Sequence, residues 1–191
     1  MTTRREQTSQ ESRELILSAA AELFAEKGYR QTTFADVAER SRISRGSIPW
    51  HFGSKEGLLL AVLERSLDVI RSGLPEEAAS FDNMRQRADV LMRLPTSKLF
   101  VTLLVEALEP GSPIHDRYVE IHNTLRDLCR RWLERVPLPP GTSAEALAVT
   151  VVGAVIGIHQ QWLLAPDRID LEEAFAPLGL LVAGPPQQPS P

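Results

Sequence analysis

The chain has 191 residues, 43% of them apolar, a formal charge of −4 and a single cysteine, Cys129. That is enough apolar matter for one large or two small cores. A lone cysteine excludes an internal disulfide and, with no apolar stretch behind Arg4 and Arg5, points to a reducing cytoplasm rather than secretion. The charge excludes a uniformly basic nucleic-acid coat but hides an asymmetry: up to Lys55 there are nine Lys/Arg against seven Asp/Glu, and beyond it twelve against eighteen. A basic head before an acidic body suits contact with one short run of phosphate backbone.

From the N-terminus, Ile16, Ala19, Ala20, Leu23 and Phe24 recur at helical spacing. The spacing predicts a helix over 9–27, with Thr8 and Glu11 in capping-box register and Gly28 as its stop. Thr33 stands three residues before Asp36, a second capping box, and opens a short helix that buries Phe34, Val37 and Ala38 and ends near 41. After a turn of about three residues, Ser44 is placed to cap a third short helix reaching about 51. A fourth starts at Ser54 and carries Leu58, Leu59, Val62 and Leu63 to about 72.

Prolines at 75, 95, 110 and 113, the cluster from Pro137 to Gly141, and the proline at 166 divide the remainder, because proline suits a helix start and disrupts an interior. Helices are expected near 77–94, 96–108, 114–136, 143–164 and 170–182, for a total of about nine. The longest nearly uncharged apolar stretch, 146–158, reads as too short to cross a bilayer, so no membrane partner is expected. Residues 184–191 include four prolines and no apolar anchor and read as a flexible tail.

The segment 32–58 carries the chemistry. Two short helices joined by a tight turn, the second opening on small and basic residues, have the dimensions of a DNA-reading helix-turn-helix. Ile43, Ile48 and Phe52 turn one side to the core, while Arg45, Gly46, Ser47 and Trp50 share the other. Arg45 is the guanine reader of this face, since its guanidinium can fork onto O6 and N7.

This stretch resembles the DNA-binding motif of the TetR family. The matching residues are Gly28, Tyr29, Thr32, Thr33, Val37, Ala38, Ser44, Gly46, Ile48, His51, Phe52, Ser54, Lys55, Glu56 and Leu58. The resemblance covers roughly residues 10–60. It implies an all-α protein with a three-helix DNA-binding domain over 1–53 and a helical-bundle ligand-binding and dimerisation domain over 54–183. The DNA-facing set is then Thr33, Ser44, Arg45, Gly46, Ser47, Pro49, Trp50, His51 and Lys55. Thr33 and Ser54 also serve as helix caps, Tyr29 reads mainly as a packing residue, and His51 is divided between phosphate contact and a structural bond.

One position departs from the family pattern. Many relatives carry a tyrosine where this chain has Pro49, and that tyrosine commonly reaches the DNA backbone. Counted from the cap at Ser44, proline falls at the fifth helical position and removes an amide bond to the Arg45 carbonyl, at about 3 kcal/mol in a regular interior. A kink or 3₁₀ geometry in the short helix is expected to absorb this and to set how Arg45 and Trp50 meet the bases.

In the body, His115, Tyr118, His122, Trp132, His159 and Trp162, with Gln160, punctuate apolar helices, as an unknown small-molecule ligand would require. Ordinary core packing explains each of them singly. The His115 and His122 spacing is not a metal-chelating one, and neither metal nor cofactor is expected. The segment 143–164 is apolar on nearly all sides, so a second copy of the chain is expected to cover it. Gly153 and Gly157 would permit close helix approach, and the family dimerises through its final two helices. An enzyme on a helical bundle is the rival class, yet no nucleophile elbow, phosphate loop or His-Glu-x-x-His is present. The expected function is that of a homodimeric repressor on a palindromic operator, released when ligand changes the head separation. A ligand-independent regulator or an activator is the alternative.

Overall fold

The computed structural model describes residues 4–73, 81–94, 96–138 and 140–183. They form α1 (Arg4–Lys27), α2 (Phe34–Ser41), α3 (Ser47–Phe52), α4 (Lys55–Gly73), α5 (Phe81–Arg93), α6 (Ser97–Thr102), α7 (Leu104–Leu108), α8 (His115–Leu133), α9 (Ala144–Leu164) and α10 (Leu171–Ala183). No strand occurs among the described residues, in keeping with the all-α expectation.

Two differences from the sequence reading have physical causes. Helix α1 begins at Arg4, so Thr8 is interior rather than a cap, and its carbonyl accepts the Ser12 hydroxyl at 2.9 Å. Its first turns are rich in Arg, Glu and Gln, good helix formers that extend a helix once it is nucleated. The single helix expected over 96–108 is divided at Leu103 (φ −90°, ψ −7°) into α6 and α7. The Leu103 amide still bonds the Leu99 carbonyl at 3.0 Å, and the Ala107 amide bonds that of Leu103 at 2.9 Å. The division is therefore a local tightening and no break in direction of hydrogen bonding. The expected start of a helix at 77 and the tail 184–191 lie outside the described residues.

The chain separates into two compact units, one of 1–68 with 94–118 and the other of 69–93 with 119–191. The expected head boundary at 53 lies inside the first unit. There, Ile16, Ala20 and Phe24 of α1 are buried, as are Val37, Ile48, Leu58, Leu59 and Leu63. Helix α1 packs on α2 and on α6, which contributes fully buried Leu99. Each such large apolar side chain contributes about 1.5–3 kcal/mol, so α6 and α7 belong energetically to the same core as the helix-turn-helix.

In the second unit α10 packs between α9 and α5. One apolar cluster joins Cys129, Trp132, Leu133, Leu147, Ala148, Val151 and Val182, and another joins Met92, Leu171, Phe175 and Leu178. A Cβ on Gly179 would lie 3.0 Å from the Phe81 ring, so glycine lets α10 close onto α5. Ser143 caps α9 as expected, its oxygen accepting the Ala146 amide at 3.1 Å. With 21 residues, α9 is long and apolar enough by length and composition to span a bilayer, contrary to the shorter stretch read from the sequence. Only Leu147, Ala148, Val151 and His159 of it are buried in the single chain.

Candidate nucleic-acid interface

The bend between α1 and α2 is built by three adjacent devices. Gly28 takes φ +88°, which a side chain would strain, and its amide closes α1 on the Phe24 carbonyl at 3.1 Å. Thr32 is fully buried and donates its hydroxyl to the carbonyls of Gly28 (2.9 Å) and Leu23 (3.3 Å). Thr33 forms the expected capping box: its oxygen accepts the Asp36 amide at 3.3 Å, and Asp36 Oδ2 accepts the Thr33 amide at 2.7 Å. Lys27 pairs with the same carboxylate at 2.8 Å. That ammonium, with the bonds from Thr33, holds Asp36 far below the usual carboxylate range. Further along, Arg40 spans to Glu22 at 3.0 Å and Glu26 at 2.9 Å. Exposed pairs of this kind contribute little each, but together they fix α2 against α1.

The turn into α3 differs from expectation. Arg42 ends α2 at φ 59°, and the N-cap of α3 is Gly46, not Ser44. The Ser44 hydroxyl instead meets that of Ser47 at 2.6 Å, while the Ser47 amide bonds the Ser44 carbonyl at 3.0 Å. Pro49 is consequently the third residue of α3, where an amide has no partner within the helix. The expected cost and the expected kink both disappear, because the fixed φ of proline suits a first turn. Its carbonyl closes the helix by accepting the Gly53 amide at 2.8 Å.

Buried Ile48 anchors α3, while Arg45, Gly46, Pro49 and Trp50 are exposed, Trp50 to 73%. A Cβ on Gly46 would meet nothing within 4 Å. His51 stands edge-on to Trp50, ring centres 4.6 Å apart. Burial, then the charge of Arg13, lowers its pKa and so favours the neutral imidazole.

At the start of α4, the Ser54 hydroxyl accepts the Gly57 amide at 3.0 Å. Lys55 lies 4.6 Å over the Tyr29 ring and donates to the Arg30 carbonyl at 3.0 Å. Tyr29 in turn sets its ring edge-on to Phe24 at 5.4 Å, the packing role expected of it. Glu106 of α7 sits 3.9 Å from Arg30. Sequence reasoning missed Gly57, whose Cβ would overlap the Phe52 carbonyl oxygen outright. A glycine in the first turn of an otherwise strong helix former was the available signal.

The residues expected at a ligand site are distributed between the two units. His115 is exposed with Nδ1 2.9 Å from the Ala107 carbonyl, and Tyr118 is buried near Phe100; both belong to the first unit. In the second, Trp132 packs 6.3 Å from Phe81, and its buried Nε1 has no hydrogen-bond partner among the described residues. His159 is buried and stacked 6.1 Å from Trp162, which also lies beneath Arg93 at 5.8 Å. His122 is half-buried, and burial followed by the charge of Arg126 lowers its pKa.

A braced helix-turn-helix that turns an exposed arginine and tryptophan away from its core belongs to the class of DNA-binding transcriptional regulators. Residues 16–62 match the family of bacterial regulatory proteins, tetR family. The chain is 30% identical over 190 residues to the transcriptional regulator TtgR of Pseudomonas putida, spanning 90% of this chain and 89% of that one. It is 25% identical over 189 residues to AcrR of Shigella flexneri, spanning 91% and 88%. The crystal structure of a TetR regulator from Chloroflexus aurantiacus superposes with TM-score 0.78 at 23% identity, covering 93% of this chain and 97% of that one. The protein belongs to the TetR family: it is a transcriptional regulator and not an enzyme. Regulators of this family bind DNA and act as dimers with small-molecule ligands.

Proposed function

We propose that the protein is a homodimeric, cytoplasmic repressor that reads a palindromic operator with α3 and leaves it when a small molecule binds in the second unit. The observation that carries the reading is the exposed face of α3, where Arg45 stands exposed beside a glycine that lets the backbone approach a duplex. Thr33, Ser44, Ser47, His51 and Lys55 flank this face and act on phosphates rather than bases.

Dimerisation is supported by the uncovered sides of α9 and α10. Ala146, Thr150, Gly153 and Gln161 are exposed at helical spacing on α9, alongside Val149 at 53% and Leu164 at 86%; Leu180 and Leu181 are exposed on α10. A Cβ at Gly153 or Gly157 would touch nothing within 4 Å. Among the described residues nothing requires these positions to be small, and their smallness suits close approach by a second copy. Ligand binding is supported by Trp132, whose buried N–H finds no acceptor among the described residues, and by the stacked pair His159 and Trp162. An acceptor-bearing, largely apolar molecule would satisfy them.

The test is selection of duplexes from a randomised pool by the full chain, repeated with Arg45→Ala. A two-fold symmetric consensus is expected, with preference lost at one base pair per half-site and affinity reduced by about 1–3 kcal/mol in the variant. Full retention of the preference by Arg45→Ala removes α3 from the reading role.

A further inference from the structure

Because α1 extends to Arg4, its early turns run alongside the helix-turn-helix. Between them lies a cleft of about 730 Å³, walled on one side by Thr8, Ser9 and Ser12 of α1 and on the other by Ser44, Gly46 and Ser47. Trp50 and His51 close its end, so it is continuous with the reading face of α3. We propose that this cleft seats the sugar-phosphate backbone of the DNA strand bordering the groove that α3 enters, gripping it between α1 and α3.

The lining chemistry selects the occupant. Five hydroxyl-bearing residues line the cleft and, among the described residues, no carboxylate does, so its chemistry suits an anion better than a cation. In the close Ser44–Ser47 pair only one hydroxyl hydrogen lies between the oxygens, leaving the other free to be given outward. The Ser12 hydroxyl spends its hydrogen on the Thr8 carbonyl of its own helix, a bond it can exchange for a phosphate oxygen by rotating about its side-chain torsion. The His51 ring lines the end of the cleft and has a ring N–H of its own to donate. Among the described residues no lysine or arginine lines it, which distinguishes this contact from the ammonium of Lys55: these hydroxyls bind backbone without neutralising charge.

The inference rests on α3 being the reading helix, and the experiment separates the two. The full chain and the variant Ser9→Ala with Ser12→Ala are titrated against the selected duplex and a scrambled one across a salt series, with Arg45→Ala in parallel. Both serines sit in a helix where alanine is the better former, so the melting temperature is expected to hold or rise slightly. Affinity for both duplexes is expected to fall by roughly tenfold. The specificity ratio and the salt slope are expected to stay those of the parent, since neutral hydroxyls release no counterions. Placing Asp at both positions is expected to abolish binding to the scrambled duplex by like-charge repulsion. Parental affinity of the alanine variant for both duplexes, or a loss confined to the selected one, overturns the cleft assignment. An Arg45→Ala protein that keeps its full preference overturns the reading helix instead, whatever the serines do.

Discussion

Gly57→Ala sets two physical effects against each other with opposite signs. On helix propensity alone, alanine in α4 is worth about 1 kcal/mol over glycine, which for a chain of this size raises the melting temperature by about 2–4 °C. The structure opposes this, because the added Cβ overlaps the Phe52 carbonyl oxygen and lies 3.3 Å from its carbon. The obstacle is backbone, and it cannot swing aside freely, since the same oxygen accepts the Ser54 amide at 2.8 Å. Overpacking costs about 1–3 kcal/mol, and a backbone obstacle takes the upper end, leaving a net loss of about 2 kcal/mol after the propensity gain. The expected outcome is a melting temperature about 4–8 °C lower, followed by circular dichroism, with weaker operator binding because α3 ends at the displaced residue. A melting temperature that rises by a few degrees with unchanged binding would refute the steric argument.

The other predictions concern the interface, the proline and acid. Gly153→Leu or Gly157→Leu is expected to leave the helical content intact and shift light scattering toward monomer, with operator binding lost in parallel; a surviving dimer in the double variant places both glycines outside the interface. Pro49→Tyr, in a first turn where no amide bond is at stake, is expected to add a phosphate contact and tighten operator and scrambled DNA alike. A changed specificity ratio would show that proline shapes how α3 meets the bases. Burial lowers the pKa of His159, as it does for His51 and His122, so the unfolded chain takes up protons first as pH falls. Stability is therefore full above an unfolded histidine pKa of about 6.5 and declines below it through this window. Thermal melts from neutral to mildly acid pH check this, and His159→Gln should flatten the decline; a parent that melts identically across the window contradicts it.

The recognition segment was legible because its determinants are local. A capping box, a helix-stopping glycine and an apolar face all act within a few residues, so Thr33, Gly28 and Ile48 could be placed from spacing. What escaped the sequence depends on contacts or on competing local bonds. Ser44 looked like a cap, but its hydroxyl pairs with Ser47 and the helix starts two residues past the arginine it was expected to include. That shift is what turns Pro49 from a defect into a favourable first-turn residue. Gly57 could be noticed as odd, but only the approach of the Phe52 carbonyl gives the reason. In the body, aromatic and polar residues on apolar helices have the same appearance whether they pack, as His115 does on the Ala107 carbonyl, or find no partner among the described residues, as the Trp132 N–H does.

The first unit is assembled from two separated stretches of chain, with Leu99, Leu103, Ala107 and Ile114 buried in it alongside the helix-turn-helix. This bears on recombination, whether in a laboratory or between genes. A crossover at residue 53 or even 68 transplants the reading helix while leaving behind part of the apolar matter it folded against. The graft then succeeds only where the recipient's own residues near 94–118 fill the same space. Specificity in such a protein is inherited by one continuous segment, but the foldability of that segment is inherited by two.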